Sequence, residues 1–316
     1  MKVAIIGRGF GVYAMKPSFE ARGWAVEVVP SRDDAAVAAA CAGDADLIAV
    51  HSPPFQHRDH VLQVIAAGKD VLCDKPFGIN AAQAREMRDA ARAAGVLDFL
   101  NFEFRYNPAR AKIRDLVASG AIGTLQHIAC SSITSYMRKR DWGWLNDAAL
   151  GGGWLGAWAS HMIDAFRWQT GSEVADCGGI SRVDVAERSD GAGGSKACTA
   201  EDGFSFWLKL SCGASVVVDG AACAPVNLTP RLGIIGSEGA LELTGERSLT
   251  LLRGKEEPQS FDFTPAPGES SWAVLEAWIA EIEQARASRT RIAPNFDDGL
   301  ATAEVLDALK ERMVGV

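Results

Sequence analysis

Apolar positions in the first hundred residues fall into short runs separated by amphipathic, alanine-rich stretches. KVAIIG (2–7), AVEVVP (25–30), DLIAVHSPP (46–54), DVLCDKP (70–76) and DFLNFEF (98–104) have the density of buried strands. Between them AAVAAACAG (35–43), HVLQVIAAG (60–68) and AAQAREMRDAARAAG (81–95) follow a helical period, and NPARAKIRDLVASG (107–120) ends this half. Strand and helix alternating at this spacing predict parallel βαβ units and a doubly wound sheet.

Beyond residue 120 the pattern changes. QHIACSSITSYM (126–137), FSFWLKLSC (204–212), ASVVVDGAAC (214–223), RLGIIGS (231–237), GALELTG (239–245) and LTLLRG (249–254) are strand-like and are divided by Gly and Asp rather than by helices. Consecutive strands of this kind predict a mostly antiparallel sheet in an α+β domain. Helical exceptions are 154–170, AVLEAWIAEIEQARAS (273–288) and GLATAEVLDALKER (299–312), while 187–202, with SDGAGGSK, reads as a mobile loop. The expected division is therefore 1–119 and 120–316.

Length supports that division, since 316 residues exceed what one hydrophobic core usually spans. A composition 48% hydrophobic and 23% charged is that of a globular protein with ample material for cores. The net charge of −8 and the absence of a dense Lys/Arg run exclude a phosphodiester backbone as partner. No apolar run reaches the roughly 18 residues of a membrane span, and MKVAIIGRG is too short in apolar residues for a secretory leader. Seven scattered cysteines, without CxxC pairing, fit reduced thiols in the cytoplasm. The five histidines form no compact ligand set with carboxylates or cysteines, so no metal is expected.

Four short motifs carry candidate chemistry. GRGFG follows the first strand, and Gly7, Gly9, Phe10 and Gly11 form a turn that lets backbone N–H groups meet a pyrophosphate at a helix N-terminus. The third fingerprint glycine is missing, because Val12 holds its place, and Pro17 predicts a kink or restart of the first helix. After the second strand, Ser31 and Arg32 suit a ribose 2′-phosphate, whereas the neighbouring Asp33 is the residue type that holds a 2′-hydroxyl; this favours NADP, with NAD the alternative. HSPPFQH places Ser52, Pro53, Pro54 and His57 in a rigid loop at the carboxyl end of the third strand. CDKP sets Asp74, Lys75 and Pro76 at the end of the fourth, where an ammonium can stabilise developing negative charge. In isolation each motif also reads as an ordinary turn, strand exit or surface lysine.

A fifth stretch, GGGWLGAWASHMIDAFRWQTG (151–171), puts His161 in an apolar segment with Asp164 three residues on. A histidine so placed is more often a satisfied core residue than a chemical one.

Taken in order, these motifs resemble the Gfo/Idh/MocA family of NAD(P)-dependent oxidoreductases across nearly the whole chain. GRGFG is similar to its glycine turn, SPPFQH to its TPP-x-x-H element and DKP to its EKP motif. NFEFRYNPARAKIRDLVASGAIG resembles the segment leaving its nucleotide domain. GGGWLGAWASHMIDAFRWQTG resembles its glycine-rich approach to a histidine, and LGIIGSEGALEL and DDGLATAEVLDAL also correspond. The resemblance implies a Rossmann domain followed by a domain with a large, open, mostly antiparallel sheet through which homodimers or homotetramers form. It also implies a sugar, polyol or related carbinol as substrate, with Lys75 and His161 at the positions of the family lysine and acid/base histidine.

One departure stands out, since Ala157 occupies the position four residues before the histidine where many members carry an aspartate. Asp164, at i+3 on the same helical face, is an alternative carboxylate for the imidazole, or else a salt-bridge partner. Tyr106 and Tyr136 are reserve candidates for proton transfer. Arg105, Tyr106, Asn107, Trp144 and Trp158, with Trp142 and Trp154, are candidates for the substrate pocket, because indoles stack on sugar C–H faces and equally pack in cores. Two rival readings stay open on the residues alone: redox-neutral glycoside cleavage with a recycled nicotinamide, and a non-catalytic NAD(P)-binding regulator.

Overall fold

A computed structural model describes residues 1–315 of the chain and resolves them into two compact units. The first comprises 1–106 and 268–304; the second comprises 107–267 and the end of the chain from residue 305.

In the first unit, β1 (Lys2–Ile6), β2 (Ala25–Val29), β3 (Leu47–Val50), β4 (Asp70–Cys73) and β5 (Asp98–Leu100) form a parallel sheet in the order β2-β1-β3-β4-β5. Helices α1 (Lys16–Ala21), α2 (Asp34–Ala42), α3 (Pro54–Ala66) and α4 (Ala81–Ala94) connect them. Successive side chains of β1 enter opposite cores: Val3 and Ile5 pack with Phe19 and Trp278, while Ala4 and Ile6 pack with Val61 and Phe296. Both faces are covered, which explains why the strands read as unbroken apolar runs.

The expected division at 119/120 differs from the compact units. The helix Ala273–Ser288 returns to the first unit because its stripe of Leu275, Trp278, Ile279, Ile282 and Ala285, spaced at helical intervals, completes one core of the parallel sheet. Helical period reveals such a stripe but not which sheet it covers.

At Pro17 the first helix does restart. A π-turn over Gly11–Met15, closed by the Lys16 N–H to the Gly11 carbonyl, precedes α1, so the wider turn accommodates the missing proline donor.

The second unit is built on a nine-stranded sheet. Its order is Gln259–Asp262, Ser248–Leu252, Ala240–Thr244, Arg231–Gly236, Leu125–Ile133, Ser215–Ala221, Gly203–Leu210, Val174–Arg182 and Met313–Gly315. Pairing is antiparallel except between Leu125–Ile133 and Ser215–Ala221 and at the Met313–Gly315 edge. Helices α5 (Pro108–Ala118) and α6 (Ser160–Thr170) belong to this unit and contact each other. Within 187–202, expected as a mobile loop, the structure instead has an antiparallel hairpin of Glu187–Ser189 and Ser195–Ala197. Its glycines occupy the hairpin tip, where Asp190 accepts the N–H groups of Ala192 and Gly194.

Candidate active site

Three loops at the carboxyl ends of β1, β3 and β4 carry the motifs of the first unit. Gly7 has φ +122°, and a Cβ there would lie 2.3 Å from the His51 carbonyl oxygen. Gly11 is equally constrained, since a Cβ on it would meet the Ile5 side chain at 2.7 Å and His51 Cβ at 3.0 Å. Gly9, between them, faces open space. No side chain caps the helix start that follows, which leaves its first backbone donors for an anion. A turn shut at Gly7 and Gly11 and open at Gly9 thus fits a dinucleotide pyrophosphate.

After β2, the Asp33 side chain turns to accept the Ala36 N–H at 3.0 Å and caps α2. The Ser31 carbonyl accepts from Gln56 Nε2 at 2.9 Å, and Arg32 is exposed.

Around Ser52 and Pro76 lies a buried polar web. His57 Nε2 stands 2.6 Å from the Ser52 carbonyl and Nδ1 3.1 Å from that of Pro76, while His60 Nδ1 is 2.9 Å from Ser52 Oγ. Burial pushes the His57 imidazole down to about 4, against the opposing pull of Asp74. His51 Nδ1 is 3.2 Å from Asp74 Oδ2, and Asp74 Oδ1 accepts the Lys75 N–H at 2.9 Å and Asn101 Nδ2 at 3.4 Å. Burial alone would raise the Asp74 carboxyl, yet His51, Lys75 and His57 together hold it below the ordinary carboxylate range. Lys75, half-buried, therefore has its backbone tied to a buried anion at the carboxyl edge of the sheet. Nothing in the sequence assigns a role to His51 or Asn101; the only signal for them is that each directly follows a strand end.

Arg105 and Tyr106 close this unit. Arg105 pairs with Asp298 at 2.8 Å, and the Tyr106 hydroxyl donates to Glu281 at 2.6 Å. Burial, aided by Glu281, pushes the Tyr106 phenol well above its usual range, which disfavours it as a proton carrier.

In the second unit, His161 lies in the first turn of α6, 3% exposed, and Asp164 is buried one turn on, 4.0 Å from Arg167. A second π-turn, Leu155–Ala159, leads into α6 and carries Ala157 and Trp158, both half-buried. Before it, a Cβ on Gly152 would strike the Trp144 carbonyl oxygen at 2.4 Å, and one on Gly153 (φ +114°) would strike Glu201 Oε1 at 2.1 Å. Trp158 neighbours Trp154 at 6.4 Å between ring centroids and Phe204 at 6.2 Å, and Trp154 neighbours the exposed Tyr136. Trp144 is half-buried, and the Trp142 indole donates to the Ala197 carbonyl. Asn107 serves as N-cap of α5, accepting from Ala109 and Arg110. Among the described residues, no three His, Cys, Asp or Glu side chains gather as for a metal ion.

A parallel sheet with a glycine turn open to an anion is the scaffold of a nucleotide-binding domain. Residues 16–102 match the oxidoreductase family with an NAD-binding Rossmann fold, and 111–242 match the GFO/IDH/MocA C-terminal domain. The chain belongs to the Gfo/Idh/MocA family, and it is an NAD(P)-dependent oxidoreductase of the dehydrogenase and reductase class. It is similar to an uncharacterized oxidoreductase of Synechocystis, 26% identical over 98% of this chain and 93% of the relative. It is also similar to inositol 2-dehydrogenase of Rhizobium meliloti, 23% identical over 84% of this chain and 78% of that enzyme. Among solved structures, levoglucosan dehydrogenase in complex with NADH shares the fold, with a TM-score of 0.88 over 99% of this chain and 96% of that one at 19% identity.

Proposed function

We propose that this chain moves hydride between NADP and a carbinol carbon of a sugar, polyol or related cyclic compound, with His161 as acid/base and Lys75 stabilising the alkoxide. The bound nicotinamide supplies the hydride-accepting or hydride-donating carbon. The chain's own residues do the rest. His161 takes the hydroxyl proton during oxidation and returns it during reduction; imidazole suits this because its ordinary titration range spans neutral pH. The Lys75 ammonium offsets the negative charge that builds on the same oxygen. The observation that carries the reading is the tie between Lys75 and the buried Asp74 anion beside the glycine turn. The name of the inositol relative supports a polyol-like substrate.

NADP is favoured over NAD because Asp33 is committed to capping α2, which leaves Ser31 and the exposed Arg32 for a 2′-phosphate. Ser52, Pro53, Pro54, His57 and Pro76 frame the rest of the nucleotide site. Trp144 and Trp158 are proposed to shape the substrate pocket, with Asp164 supporting His161. Exposed Ile180, Trp207, Val217 and Ile235 on strands of the nine-stranded sheet support a second copy of this chain as partner. Seven free thiols support a cytoplasmic setting. No helix among the described residues is long and apolar enough to cross a membrane.

The test is turnover of a carbinol panel by Lys75→Ala and His161→Ala. Each variant should lose on the order of a hundredfold or more in kcat while still binding nucleotide. Retention of kcat within a fewfold by both overturns the assigned roles.

A further inference from the structure

A half-buried carboxylate that plays no part in the chemistry above sits at the entrance to the helix of His161. Glu201 lies 46 residues from Leu155 in sequence, yet its Oε1 accepts the Leu155 N–H at 2.9 Å. Its backbone carbonyl accepts the Trp154 N–H, also at 2.9 Å. The carboxylate is pressed against Gly153, whose φ of +114° and lack of a side chain make that approach possible. Leu155 is then held from its other side, because its carbonyl accepts the N–H of Ser160, the residue before His161. A continuous path of two hydrogen bonds thus runs from Glu201 to the residue preceding His161.

The turn between these two bonds is the π-turn Leu155–Ala159, which holds one more residue than an α-turn. Relaxing it to α-helical spacing would rotate the strap before α6 by about 100° relative to His161. Met162, Ile163 and Phe166 anchor α6 in its core, Leu155 and Ala159 of the turn are buried as well, and Ser160 Oγ donates to the Gly156 carbonyl, so the Glu201 contact acts on a turn already seated in the core. The neighbouring segment is built to hold the same strap, since Thr199 and Ala200 donate to the Asn146 carbonyl and Ala148 donates to Thr199 Oγ1.

We propose that Glu201 is a positioning residue that pins the register of the π-turn and thereby sets the placement of Ala157, Trp158 and His161 toward the substrate. The inference rests on the reading of His161 as acid/base. Burial raises the Glu201 carboxyl above its usual range, with the Leu155 N–H opposing, so an uncharged acceptor of the same shape can replace it.

The experiment compares Glu201→Ala, Glu201→Gln and His161→Ala in steady-state turnover of the full chain. Glu201→Ala should lower kcat between about tenfold and a hundredfold with the KM for nucleotide unchanged. Glu201→Gln, which keeps an oxygen for the Leu155 N–H, should restore kcat to within about threefold of the parent. If Glu201→Ala does not fold, Glu201→Met, which keeps volume without an oxygen acceptor, takes its place under the same expectation. Full kcat in the acceptor-less variant while His161→Ala is inactive overturns the role of Glu201 alone. An equal loss in Glu201→Gln and the acceptor-less variant also overturns it. An active His161→Ala overturns both the role of Glu201 and the reading beneath it.

Discussion

His51 and Asp74, each the first residue beyond adjacent parallel strands, meet as a buried pair with Nδ1 and Oδ2 3.2 Å apart. The pair fixes an anion under Lys75, and His57 lies close enough to add to that field. The polar web follows from topology, because parallel strands deliver their next residues to one edge of the sheet.

Acid should weaken this web through His57. Folded, its imidazole titrates at about 4, whereas unfolded it titrates near 6.5, so between those values the unfolded chain binds the extra proton. Stability from this group is intact above pH 7 and falls by up to about 3 kcal/mol as pH drops from 6.5 to 4. Thermal midpoints from pH 7.5 to 5 should fall less steeply in His57→Asn than in the parent. Identical slopes would show that His57 is not held neutral.

Gly7 and Gly9 should separate stability from binding. Gly7→Ala forces a Cβ against the His51 carbonyl at a left-handed φ and should cost about 1–3 kcal/mol of stability. Gly9→Ala meets nothing in the protein, so its melting temperature should match the parent while its Kd for reduced nucleotide rises at least about tenfold through contact with the ligand. Calorimetry with and without nucleotide reads both effects, and unchanged affinity in Gly9→Ala would remove the turn from the binding site.

Arg32 should decide between the two nucleotides. Replacing it with Ala should weaken NADPH by roughly tenfold, the worth of one exposed charge-assisted contact, and leave NADH nearly unchanged. Energy transfer from tryptophan to the reduced nicotinamide follows both titrations. Equal weakening of both nucleotides would assign Arg32 to the shared part of the cofactor.

Trp207 crosses the open sheet, with its ring 3.0–3.2 Å from where a Cβ on Gly178 would stand, and is 44% exposed. The chain is proposed to pair with a second copy through this face, so the parent should run above its monomer mass in light scattering and a charge placed there by Trp207→Glu should bring that mass down. An unchanged mass would place the contact elsewhere.

Much of this architecture is legible from period alone. The strands of the parallel sheet announce themselves as apolar runs because both faces are buried. Val174–Arg182 escapes notice because Gly178 and Gly179, required beneath Trp207 and against the Ser205 carbonyl, break the strand pattern. The glycine turn and the Asp74–Lys75–Pro76 segment are readable as local motifs. His51–Asp74 and Glu201–Leu155 are not, since each joins residues that only the fold brings together.

Net hydride transfer is the step on which the proposed function stands, and the ratio of reduced nicotinamide formed to carbinol consumed, with the carbinol hydrogen replaced by deuterium, reads it without an intermediary. One reduced nicotinamide should appear per substrate oxidised, with the label carried onto it. Cleaved product with no net change in nicotinamide would contradict that transfer and establish a redox-neutral reaction in its place.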